Sequence, residues 1–81
     1  MNKIQHPSNN AVLGAPEGWN QAELPCEALA ITRSEYAGMP VVKSYWRPSA
    51  EELAILNAGG SVELAVLGHT MPPVMVSVDP L

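Results

Sequence analysis

Eighty-one residues with 47% apolar side chains, a formal net charge of −4 and one cysteine describe a single small domain. They exclude an internal disulfide, and they argue against general nucleic-acid binding, which is driven by phosphate neutralisation. The apolar residues are rich in Ala, Val and Leu, with no Phe, two Trp and two Tyr, so the core is thin and self-association is the expected supplement.

Residues 1–27 scatter Asn2, Asn9, Asn10 and Asn20 among Pro7, Pro16, Pro25, Gly14 and Gly18, with neither a strand nor a helix period. This segment is read as an extended N-terminal arm wrapping the domain, its first residues loose, with Trp19, Leu13 and Leu24 available for docking. Residues 28–81 are read as a single compact domain. A strand begins at Ala28 and runs to Arg33, with Leu29 and Ile31 alternating with small residues. Ser34 to Pro40 form a connection whose natural turn residue is Gly38. The next strand, Val41-Val42-Lys43-Ser44-Tyr45-Trp46, is rich in β-branched and aromatic residues and closes a first hairpin.

Pro48 ends that strand, and Ser49 with Glu52 three positions on makes a capping box for a helix over about 50–58. Gly59 and Gly60 stop it. A helix this short needs packing to persist, and Leu53 and Leu56 are expected to face a sheet. Val62, Leu64 and Val66 then alternate, as do Val74, Val76 and Val78, around the loop Gly68-His69-Thr70-Met71-Pro72-Pro73. These runs predict a second hairpin. The expected order is β-β-α-β-β, an α+β domain with one short helix on a four-stranded, mostly antiparallel sheet.

No nucleophile elbow, phosphate loop or metal helix is present, so no enzyme and no cofactor is expected. His6 and His69 with Cys26 make no metal framework. Glu51 and Glu52 are adjacent helix positions that diverge, and both suit the first turn electrostatically. Binding is the open possibility. Tyr45-Trp46-Arg47 joins aromatic faces to a guanidinium beside a helix N-terminus, where a phosphate or carboxylate can be clamped. The competing reading makes Trp46 a core anchor and Arg47 a partner of Glu51. Arg33 and Lys43 lie on the same hairpin, so a local basic patch is expected on an acidic chain. His69 and Thr70 occupy a loop pinned by Pro72-Pro73, preorganised for a ligand or simply a rigid turn. A cis Pro72–Pro73 bond is compatible with that loop.

The run Ser44-Tyr45-Trp46-Arg47-Pro48-Ser49-Ala50-Glu51-Glu52-Leu53, then Leu56-Asn57-Ala58-Gly59-Gly60, then Val66 through Val74, resembles an uncharacterised family of small accessory proteins of tailed phages and prophages. The resemblance covers about residues 10–79 and brings no catalytic residues. Other members often carry His-Pro-Pro where this chain has Met71-Pro72-Pro73. It implies an accessory factor that blocks a host process, by sequestering a small anionic nucleotide signal or by capping a host protein. A minor virion or assembly protein is a third class. No run approaches the roughly 18 apolar residues of a membrane span. No continuous apolar core follows Lys3, so no signal peptide is expected. A free cysteine suits a reducing compartment, and the expected setting is the cytoplasm of an infected bacterial host, as a homo-oligomer.

Overall fold

The eight residues Leu29–Tyr36 (β3) and the five residues Met39–Lys43 (β4) form an antiparallel hairpin around which the rest is arranged. The structure, a computed structural model, describes residues 1–80. The turn is only Ala37-Gly38, with φ of 51° and 79°. Positive φ at both central positions belongs to the hairpin turn whose twist matches that of its strands. Gly38 adopts it freely, whereas the left-handed region costs an L-residue such as Ala37 about 1–2 kcal/mol. Ala37→Asn is therefore expected to stabilise the protein by about 1 kcal/mol. A higher midpoint in thermal denaturation is the readout.

The α+β class and the antiparallel pairing match the expectation, but the sheet does not. Two sheets replace one of four strands: β2 (Ala11–Leu13) joins the hairpin in the order β2-β3-β4, and β1 (Asn2–Ile4) pairs with β5 (Tyr45–Arg47). The N-terminal segment is thus strand-bearing from Asn2, not loose. Asn10 explains why β2 docks. Its Oδ1 accepts the Arg33 N–H at 2.8 Å, its Nδ2 donates to the Arg33 carbonyl at 3.1 Å, and its own N–H donates to the Ile31 carbonyl at 3.0 Å. The side-chain amide imitates a strand neighbour and lengthens a three-residue ladder. The expected second strand is also interrupted. Ser44 separates β4 from β5, and its hydroxyl accepts from the Trp46 indole N–H at 2.9 Å.

Helix α1 (Ala50–Asn57) is capped as read. Ser49 accepts from the Glu52 N–H, and Glu52 accepts from the Ser49 N–H at 2.9 Å. At the other end Gly59, at φ 96°, donates to the Leu56 carbonyl, and Gly60 donates to that of Ile55 at 2.9 Å. This is a complete Schellman closure. A Cβ at Gly60 would lie 2.8 Å from the Ile55 carbonyl oxygen, so that position requires glycine for a close approach. The expected packing of the helix on a sheet is not found. None of its residues is buried, and Leu53 is 48% exposed.

Glu52 has a second task, because the Met1 ammonium donates to both of its carboxylate oxygens. That contact, followed by the Ser49 N–H, lowers its pKa from 4.5 to about 2. A depressed folded-state pKa stabilises the fold above the ordinary carboxylate range and is lost as pH falls through the folded value. Helicity measured by far-UV circular dichroism should therefore fall between about pH 4.5 and pH 2. Glu52→Gln should flatten that part of the titration.

The second hairpin is absent. Residues 61–80 form no strand, although both runs expected as strands alternate correctly. Alternation specifies which face is apolar, not which strand lies alongside. Leu67, Gly68 and His69 form a bend, and no peptide bond among the described residues, including Pro72–Pro73, is cis. Among the described residues Ile31 is the one fully buried apolar side chain.

Candidate functional site

Arg33, Lys43, Trp46 and Arg47, singled out in the sequence, are exposed but divided between faces. Thr32 pairs with Lys43 and Arg33 with Val42, and residues directly opposite in an antiparallel pair share a face. Arg33 and Lys43 therefore lie on opposite sides of the hairpin. On β5, successive side chains alternate, so Trp46 and Arg47 also face opposite ways. Trp46 is 48% exposed, which corrects the core-anchor reading. Arg33, Lys43 and Arg47 make no ion pair among the described residues, so the Arg47–Glu51 pair is not formed. The fourth cation, Lys3, donates to the Ala28 carbonyl at 2.9 Å and pairs with Glu27 at 2.7 Å, tying β1 to the start of β3. Lys3 holds the Glu27 carboxyl below its usual range.

Tyr45 is half-buried, and its ring stacks on that of His6 with centroids 3.8 Å apart and planes 8° apart. Its aromatic face is thus occupied from within the chain. His69 and Thr70 lie exposed in the C-terminal segment, with no hydrogen bond to the other candidates. The expected basic patch does not converge within one chain.

What does converge is a polar cluster centred on His6, which is 9% exposed. The His6-Pro7-Ser8-Asn9 turn folds back on itself, Asn9 Oδ1 accepting the His6 N–H at 2.7 Å. Ser8 N–H donates to His6 Nδ1 at 3.2 Å, which places the ring proton on Nε2, 3.4 Å from Asp79 Oδ1. Ser8 Oγ lies 2.7 Å from Nδ1 and 2.8 Å from Thr32 Oγ1, and Asn9 Nδ2 donates to Thr32 Oγ1 at 3.2 Å. The order of Ser8, His6 and Asp79 superficially resembles a nucleophile–base–carboxylate relay. Its details favour a structural hub. The nitrogen that would act as base already accepts the Ser8 backbone N–H, the hydroxyl is shared with buried Thr32, and the imidazole is flattened on Tyr45. The loose arm expected around His6 is instead an ordered turn, and the Pro-Ser-Asn chemistry after His6 is the local signal for it.

A shallow groove of about 530 Å³ runs past this hub, bordered by Gln5, His6, Asn9, Asn10 and Val12, with no Arg or Lys in its lining. A second borders Met1, Glu52, Ile55 and Val62 and is likewise without a basic side chain. Among the described residues no group of three His, Cys, Asp or Glu could hold a metal ion, and no helix is long and apolar enough to cross a membrane. No family model, curated protein or solved structure matches the chain.

Proposed function

We propose that the chain is a non-enzymatic accessory protein of phage or prophage origin that counteracts host defence. In this reading it sequesters a small anionic nucleotide signal in the cytoplasm of the infected host, at sites completed between copies of the chain. The observation that carries the reading is the exposure of Arg33, Lys43 and Arg47 without ion pairs among the described residues, on a chain of net charge −4. Phosphates reward such cations, and arginine in particular through paired hydrogen bonds. The exposed Trp46 indole supplies a face on which a base can stack. Arg33 and Lys43 lie on opposite sides of the hairpin, and Trp46 and Arg47 on opposite sides of β5, so in this reading a second chain completes the clamp. The phage context rests on the sequence resemblance alone.

Capping of a host protein is the second reading, favoured by the open outer edges of β2 and β4, which strand addition can use. A thermal-shift screen against cyclic and linear nucleotides separates the two. Saturation at one hundred times the dissociation constant stabilises by about 2.7 kcal/mol, a rise of about 10–20 °C for a domain of this size. The expected result is such a rise with one nucleotide class, abolished by Arg47→Ala. No rise with any nucleotide refutes sequestration and leaves strand addition, tested by pull-down from host lysate.

A further inference from the structure

The chain exposes far more surface than its size requires. Its accessible area is 6986 Å², whereas a compact monomer of the same mass, 8.6 kDa, exposes about 4,700 Å². Its radius of gyration is 14.5 Å, against about 11.7 Å for a compact chain of this length. The excess area, about 2,300 Å² per copy, is what a pair of copies burying about 4,600 Å² between them would remove. That total lies within the range of obligate homodimers, about 2,000–5,000 Å².

The location of the excess says what covers it. Residues 61–78 carry one charged side chain, Glu63, and two alternating apolar runs whose members include Val62 at 51%, Leu64 at 46%, Val76 at 67% and Val78 at 95% exposure. A segment so poor in charge and rich in β-branched residues lacks the composition of a solvated tail. It has the composition of strands, and among the described residues it pairs with no strand neighbours. The same chain offers those neighbours: β4 is an open edge of five residues, and Val42 and Met39 on it are 51% and 68% exposed. Helix α1 leaves Leu53 and Ile55 equally uncovered. Strand-forming segments without edges and edges without strands, in one sequence, are self-complementary, which is the requirement for a symmetric pair.

We infer that the C-terminal segment is exchanged between copies: residues 61–78 of one chain add as strands to the sheet edge of a second, and the second chain returns its own. β4, at five residues against three for β2, is the longer open edge and the one assigned as acceptor, with Pro40 in it offering a carbonyl but no N–H. The loop with His69 and Thr70, which lies between the two runs, is carried with them to the partner. The inference stands on the surface and strand inventory and not on the ligand, so it is tested without nucleotide.

Hydrogen exchange of the unmodified full-length protein reads the segment directly. Amides of 62–66 and 74–78 are expected to exchange at least about a hundredfold more slowly than in an unstructured peptide of the same sequence. In a mixture of two differently isotope-labelled preparations, refolded together, contacts between 74–78 and β4 should appear between copies. Val76→Lys should abolish the protection of 74–78 and halve the mass, while the β3–β4 amides report whether the hairpin itself persists. Unprotected amides in the unmodified protein overturn the inference, and so do segment contacts found only within one copy. Exchange between copies with no nucleotide shift upholds the inference and refutes only the proposed ligand.

Discussion

Ile31→Ala is expected to unfold the protein at ordinary temperature. Ile31 is fully buried, and truncating an interior isoleucine to alanine costs about 2–5 kcal/mol through lost transfer energy and the cavity left behind. A chain this small has about 3–5 kcal/mol to lose. The residue is the third of eight along β3, paired with Ala11 on β2, while its carbonyl takes the Asn10 N–H. Its loss therefore loosens the docking of the N-terminal strand as well as the interior. Ile31→Val, which removes one methyl, should cost about 0.5–1.5 kcal/mol and leave a cooperative transition. Urea titrations followed by tryptophan fluorescence measure both. An alanine variant as stable as the parent would show that the buried centre lies elsewhere.

His6→Ala is the second large effect, expected at about 2–3 kcal/mol. The imidazole covers Tyr45, receives the Ser8 N–H and hydroxyl, and reaches Asp79, so its removal strips partners from three parts of the chain at once. Buried Thr32 would retain Asn9, and the His6–Asn9 backbone contacts of the turn would remain, but Ser8 would lose the Nδ1 acceptor of its N–H. The variant distinguishes a hub from a catalytic base. His6→Phe preserves the stack on Tyr45 and should recover part of the lost stability, and Ser8→Ala should cost about 1 kcal/mol by removing one hydrogen-bonding hydroxyl. Partial rescue by phenylalanine has no place in a base mechanism.

What was legible in the sequence was local. Ser49 and Glu52 cap α1 as their spacing requires, Gly59 and Gly60 close it, and β3 pairs with β4 as a hairpin, with a two-residue turn where a connection over Ser34 to Pro40 is expected. Each of these depends on residues within a few positions of one another. The errors are all questions of long-range partnership. Ala11-Val12-Leu13 is too short to register as a strand until Asn10 is seen imitating one, and β1 gains its identity from β5, more than forty residues away. The His6 cluster joins positions 6, 8, 32, 45 and 79, which no spacing rule links. Trp46 and Arg47 looked like one site because they are neighbours in sequence, yet neighbours on a strand face apart. Conversely, the alternation over 61–78 finds no strand partner among the described residues.

We propose one common resolution for the thin core, the unpaired C-terminal runs and the divided basic residues: that the folded and ligand-competent unit contains more than one copy. The mass of the unmodified protein in solution, measured by light scattering across a dilution series, tests that claim most directly. A mass of at least twice 8.6 kDa, held on dilution into the low micromolar range, is the predicted result. A mass of 8.6 kDa at every concentration, with cooperative unfolding intact, would contradict it.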